Sequence, residues 1–160
     1  MTFRLINKDD DAIIANILRT NLKKHKLDIP GTVYFDAGID KLTEMYAGPD
    51  CDYYVVCDDN GHVVGGIGYA KLSFMKDTAE LQKLYLDESV QGAGFAYTMV
   101  SFIEDKMREA GYKVSYLETH DNLQAAIHIY EKSGYKEIER PKEVVHSTMN
   151  RFFIKELTKL

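Results

Sequence analysis

Apolar positions along this chain switch repeatedly between a two-residue and a 3.6-residue period, which predicts strands alternating with helices. Phe3 to Ile6 reads as a short strand, and Asn7 with Asp10 three residues later opens a helix running to about Lys24. Ile14, Ile17, Leu18 and Leu22 form that helix's buried stripe. The stretch from Asp28 to Tyr46 breaks the pattern at Pro30-Gly31, carries Tyr34 and Phe35, and holds a short helical segment from Asp40. It reads as an irregular excursion. Asp52 to Cys57 and Val63 to Lys71 then alternate as strands, joined through Asp58-Asp59-Asn60-Gly61, a strong hairpin signal. Thr78 to Leu86 is the next strand. Ala96, Met99, Val100, Ile103, Met107 and Ala110 follow at helical spacing, with Gly111 as the stop. Val114 to Thr119 is a strand, Leu123, Ala126, Ile127 and Tyr130 mark one helix face, and Gly134 ends that helix. Tyr135 to Arg140 and Asn150 to Leu157 complete the strand set.

Connections that carry a helix imply parallel neighbours, whereas hairpins imply antiparallel ones. The expected class is therefore α/β in the α+β sense: a mixed, mostly antiparallel sheet of about six to seven strands, flanked by helices. A length of 160 residues fits one domain over 1–160. An apolar share of 45% and a charged share of 28% are those of an ordinary globule. No apolar run of 18 residues and no leader-like pattern occurs, so a cytoplasmic protein without membrane contact is expected. The formal charge of −5 argues against a nucleic-acid surface and is compatible with a cationic partner. Cys51 and Cys57 flank a strand that holds them about 20 Å apart when extended, so free thiols are expected, and no histidine or cysteine spacing points to a metal.

The most informative segment runs from Leu84 to Ala96, where an apolar strand enters a glycine-rich turn, Gln91-Gly92-Ala93-Gly94-Phe95-Ala96, and then a helix. Helix starts leave backbone N–H groups unpartnered at the positive end of the helix dipole, so glycines there let a phosphate approach the main chain. A triphosphate loop needs Lys and Ser/Thr after its last glycine, where this chain has Phe95 and Ala96; a dinucleotide fingerprint needs a third glycine, which is missing.

These residues resemble the GNAT superfamily of N-acetyltransferases, whose pyrophosphate loop follows Q/R-x-x-G-x-G/A; Gln91, Gly94 and Ala96 fit it. Ala79 to Leu86 is similar to the family's fourth strand, and Asn122 to Tyr135 to its second signature. The resemblance covers about residues 53 to 140. It implies a sheet whose two central parallel strands, those holding Leu84–Leu86 and Tyr116–Thr119, splay at a β-bulge to admit the pantetheine arm of acetyl-CoA. It also implies direct acetyl transfer to a primary amine, with no covalent enzyme intermediate and no metal.

On that resemblance the cofactor-binding residues are Leu84, Leu86, Gln91, Gly92, Ala93, Gly94, Phe95, Ala96, Asn122 and Tyr130. The catalytic pair is Glu80 and Tyr130. The attacking amine must be neutral, and an alkyl ammonium loses its proton only near pH 10.4 or so, which calls for a base. Glu80 stands where many relatives carry that base; Glu118, near the end of the neighbouring strand, is the second candidate. Either side chain can instead be a solvated or ion-paired carboxylate. Tyr130 matches the tyrosine that donates to the departing sulfur, although periodicity alone would pack it in the core. Asn122 matches a pantetheine contact and suits an N-cap equally. Backbone groups near Leu84 and Leu86 would pair with the pantetheine amides and stabilise the oxyanion. His120 follows the central strand closely, with a capping role as its ordinary alternative, and Lys132 lies within reach of a 3′-phosphate but more simply faces solvent.

The acceptor is expected to be a small-molecule amine, shaped by the segments outside the resemblance, including Tyr34, Phe35 and Val144 to Arg151. Its identity is left open. The competing functions are a non-catalytic acyl-CoA sensor and a protein or peptide N-acetyltransferase. A homodimer through edge strands is compatible with the family and demonstrated by nothing in the sequence.

Overall fold

The computed structural model describes residues 1–158. Its seven strands form one sheet in the order β1-β2-β3-β4-β5-β7-β6, all neighbours antiparallel except β4 and β5. The strands are β1 Thr2–Leu5, β2 Cys51–Cys57, β3 Val63–Lys71, β4 Thr78–Leu86, β5 Val114–Thr119, β6 Lys136–Ile138 and β7 Arg151–Glu156. The helices are α1 Asp11–Lys24, α2 Leu42–Met45, α3 Phe95–Glu109 and α4 Gln124–Lys132. The mixed, mostly antiparallel sheet is the one expected, with the parallel pair at the β4–α3–β5 crossover; β1 and β2, although joined through α1 and α2, pair antiparallel.

Local chemistry accounts for the element boundaries. Asn7 accepts the Asp9 N–H while Asp10 accepts the Asn7 N–H, a reciprocal cap that turns the chain through a short 3₁₀ segment into α1. Arg4 clamps the same Asp10 with two hydrogen bonds of 2.7 and 2.9 Å, which fixes α1 against β1. At the β2–β3 hairpin the Asp58 carboxylate accepts the Asn60 and His62 N–H groups, and Gly61 supplies the positive φ. β2 is apolar apart from Asp52 because most of it is covered on both faces. Tyr53, Val55 and Cys57 meet α1 and α2, whereas Val56 meets the α3 side. The four α3 residues Met99, Val100, Ile103 and Met107 are almost completely buried, each contributing about 1.5–3 kcal/mol of apolar burial.

The part of the fold that creates a site is the junction of β4 with its neighbours. β5 pairs with β4 only between Thr78–Glu80 and Val114–Tyr116; beyond that the two strands separate. On the other side, Gly66 pairs with Tyr85 and Gly68 with Gln82, so Lys83 and Leu84 together oppose Ile67 alone. That is a β-bulge, with Lys83 at φ +51. Its anchor lies beneath the sheet: the fully buried Tyr53 donates its hydroxyl to the Lys83 carbonyl at 2.8 Å. Glycines 66 and 68 leave room for that ring, since a Cβ at either would stand 2.5 or 2.6 Å from it.

Tyr53→Phe keeps the ring and orphans the Lys83 carbonyl, a loss of about 1–3 kcal/mol. Urea unfolding should show a lower midpoint with an unchanged slope, because the bulge loses its tether.

Two smaller expectations shift. The strand anticipated over Tyr135 to Arg140 is only Lys136–Ile138, an edge strand whose chain leaves the sheet ahead of Pro141. The helical segment anticipated from Asp40 begins at Leu42 and makes a single turn. Cys51 and Cys57 stand at opposite ends of β2 as free thiols. Among the described residues no helix is long and apolar enough to cross a membrane, and no group of three metal-ligating side chains assembles.

Candidate active site

Where β4 and β5 part, a cleft of about 540 Å³ opens, walled by β4 from Leu81 to Leu86, the glycine loop, the start of α3, the end of β5 and one face of α4. The loop forms its rim. A 3₁₀ turn at Glu88–Val90, held by the Asp87 carboxylate on the Ser89 N–H and hydroxyl, delivers the chain to Gly92 and Gly94, both at φ near +80. Gly94 is the N-cap of α3, and a Cβ at either glycine would meet nothing within 4 Å. The helix start therefore presents its free amides to open space, a cradle suited to a phosphate.

The sequence-predicted residues divide in a definite way. Leu84, Leu86, Gln91, Gly92, Gly94, Phe95, Ala96 and Tyr130 all line the cleft. Ala93 lies on the exposed side of the loop and does not. Asn122 is exposed and also outside the lining; it is not the α4 N-cap, which is Leu123. Its side chain instead donates to the His25 carbonyl at 2.9 Å, tying the end of α1 to the turn before α4. His120 takes the capping role, its Nδ1 accepting the Asn122 N–H. Tyr34 and Phe35 pack edge to face against each other, Phe35 being 60% exposed, and neither lines the cleft.

Gln91 faces inward. Its side-chain amide donates to the Leu86 carbonyl at 2.8 Å and to Asn21 Oδ1 at 3.0 Å, while Asn21 Nδ2 donates to the same carbonyl at 3.0 Å. Both lone pairs of that carbonyl are thus occupied, so pairing with a pantetheine amide through the Leu86 C=O, as anticipated, is blocked. The Leu86 N–H is different. Asp87 N–H bonds Val64 across to β3, so by antiparallel alternation the Leu86 N–H points toward the cleft.

Tyr130 is 6% exposed and packs against Tyr135 and Phe153. Among the described residues its hydroxyl has no hydrogen-bond partner, and it lines the cleft beside Tyr85, whose hydroxyl is likewise unpartnered. Burial raises both phenol pKa values, with Tyr85 adding to the shift at Tyr130, so both hydroxyls stay protonated at neutral pH.

The two candidate bases sit on one face of adjacent strands. Glu118 reaches the cleft wall, where its carboxylate accepts the Tyr116 hydroxyl at 2.9 Å and the Ser147 hydroxyl at 3.2 Å. Glu80 lies behind it, outside the lining, and accepts Gln82 Nε2 at 2.9 Å. Burial pushes the Glu80 carboxyl above the ordinary glutamate range; the Gln82 hydrogen bond and the Lys83 charge oppose that and the Glu118 charge adds to it.

Lys83, Asn21, His25 and Tyr85 also line the cleft without having been singled out from sequence, and Met149 lines it from the Val144 to Arg151 segment expected to shape the acceptor end. Asn21 carried a readable signal, a polar side chain among the buried positions of α1.

Residues 19–135 match the Acetyltransferase (GNAT) family. The uncharacterized N-acetyltransferase YjgM of Escherichia coli K12 is 34% identical over 138 residues, which is 85% of this chain and 82% of that protein. An acetyltransferase of the GNAT family from Staphylococcus aureus Mu50 superposes with a TM-score of 0.83 at 18% identity, covering 98% of this chain and 99% of the other. Spermidine N-acetyltransferase from Vibrio cholerae, solved with CoA and spermine, gives 0.74 at 20% identity over 98% and 95%. The chain belongs to the GNAT acetyltransferase family.

Proposed function

We propose that this GNAT-family acetyltransferase moves an acetyl group from acetyl-CoA directly to the primary amine of a small acceptor, by general base and general acid catalysis. The observation that carries the reading is the parting of β4 and β5 at the Lys83–Leu84 bulge, below a loop whose two left-handed glycines open onto a helix start. The residues fit the cosubstrate: the amides at the start of α3 suit a pyrophosphate, and the apolar walls Leu84, Phe95 and Ile129 suit a pantetheine arm. Acetyl-CoA supplies the activated acetyl thioester.

Glu80, set behind the cleft wall, accepts the ammonium proton through an intervening water. Its raised pKa brings it closer to neutrality and makes it a better base than an exposed glutamate. Glu118, at the cleft wall, holds the incoming ammonium. As the nitrogen attacks, the inward Leu86 N–H donates to the developing oxyanion. As the C–S bond breaks, Tyr130 donates its proton, or a hydrogen bond, to the departing thiolate, a role supported by its unpartnered hydroxyl, and the nitrogen releases its second proton to the tyrosinate or to water as the amide forms.

Tyr130→Phe keeps the packing against Tyr135 and Phe153 and deletes only that donor. We expect kcat to fall on the order of 10²-fold, with CoA affinity nearly unchanged. Thiol release at saturating substrates, beside a CoA titration, checks both; an unaltered kcat would remove Tyr130 from the chemistry.

A further inference from the structure

We propose that Lys83 is an anchor for a negatively charged group on the acceptor, so that the substrate is an amine carrying a carboxylate nearby, amino-acid-like in its chemistry. The inference rests on the reading of the cleft as an acetyl-transfer site and names what enters its acceptor end.

Lys83 is a residue of the bulge itself and lines the cleft that Glu118 walls from β5. Among the described residues its ammonium makes one hydrogen bond, to the Tyr46 hydroxyl at 3.2 Å, and lies 5.3 Å from the centre of that ring. Among the described residues no carboxylate comes within 4 Å of it. Glu80 and Asp36 are the charges that act on it from a distance, and burial outweighs both, lowering its pKa. An ammonium has three donors, so two are left without a protein acceptor in a half-buried site. Such a group is costly unless a ligand completes it.

A hydrogen-bonded chain links this cation to the base. Lys83 donates to Tyr46, the Tyr46 hydroxyl donates to Gln82 Oε1 at 2.6 Å, and Gln82 Nε2 donates to Glu80 at 2.9 Å. One network thus orients a cation and a carboxylate on the same wall, with Glu118 facing them from β5. A zwitterion matches both signs: its anion completes Lys83 while its ammonium lies toward Glu80 and Glu118. A polyamine has nothing to offer Lys83, and its additional ammonium groups would be repelled by it. The acceptor predicted here therefore differs from spermidine, the acceptor of the Vibrio cholerae relative.

The test is thiol release from acetyl-CoA with the standard amino acids, each assayed against its own carboxamide, and with putrescine and spermidine. Wild type should use a carboxylate member on the order of 10²-fold better, in kcat/KM, than its amide, the scale of losing one partner of a desolvated charge pair. Lys83→Met should erase that preference, chiefly through KM, and Lys83→Arg should keep most of it. Equal or better use of the amides, or preference for the diamines, overturns the inference while leaving acetyl transfer standing. A preference untouched by Lys83→Met, in a variant shown to be folded by circular dichroism, also overturns it. If no member supports thiol release the inference fails, and a CoA titration then decides whether the acetyl-transfer reading fails with it.

Discussion

Gly94→Glu is expected to abolish acetyl-CoA binding while leaving the protein folded. Gly94 holds φ +80 at the N-cap of α3, and space is open around the position of its missing Cβ. An L-residue there carries strain of about 1–2 kcal/mol, which a domain tolerates. A carboxylate near a helix N-terminus offsets part of that strain through the helix dipole. The same carboxylate stands where a pyrophosphate would lie. One like-charge pair at 4 Å costs about 4 kcal/mol at an effective dielectric near 20, on the order of a thousandfold in affinity. Gly94→Ala separates the causes, since it shares the backbone strain without the charge and should keep much of the binding. Calorimetric titration with CoA, beside a thermal melt of each variant, gives both answers. Wild-type affinity in Gly94→Glu would show that the anion site lies elsewhere.

Glu80→Gln should lower kcat on the order of 10²–10⁴-fold, the range typical of losing a general base. The comparison with Glu118→Gln assigns the roles. If Glu80 takes the proton and Glu118 holds the ammonium, the first acts mainly on kcat and the second mainly on KM. The pH dependence carries a sign that can be checked. The folded protein holds the Glu80 proton more tightly than the unfolded chain does, because burial raises its pKa. In wild type kcat should therefore fall as pH drops through that raised value, above the ordinary glutamate range, and Glu80→Gln should lose this limb. Stability should move the opposite way. Ionised Glu80 opposes folding, an effect absent below the ordinary glutamate pKa and complete above the raised one. Glu80→Gln, which can still accept from Gln82, should be more stable than wild type at neutral pH, with the difference vanishing in acid. A variant of unchanged kcat, or one whose added stability persists in acid, would contradict the assignment.

Much of the fold was legible because it is governed by short-range signals. β3, β4 and β5 begin and end where alternation and turn residues place them, at Val63–Lys71, Thr78–Leu86 and Val114–Thr119. The glycine loop was legible for the same reason: its conformation depends on a few adjacent residues. The resemblance supplied the splayed strands and Tyr130 as a candidate. What sequence did not reveal depends on contacts between distant residues. Tyr53 reaches Lys83 across 30 positions, Asn21 reaches the Leu86 carbonyl across 65, and Gln91 reaches Asn21 across 70. No periodicity encodes those meetings. The orientation of Lys83 is of the same kind, since a lysine within a strand ordinarily points to solvent, and the bulge gives it a positive φ beside the cleft. Glu80 shows the converse, a residue whose strand position was readable but whose placement behind Glu118 was not.

The most direct test of acetyl transfer itself is to follow label from acetyl-CoA, marked in its acetyl group, in the presence and absence of amines that include amino acids, dipeptides and diamines. We predict that label leaves CoA at a substantial rate only when an amine is present, appears on that amine as a stable amide, and never accumulates on the protein. Label that stays on CoA with every amine, or that passes to the enzyme as a covalent intermediate, would contradict the account.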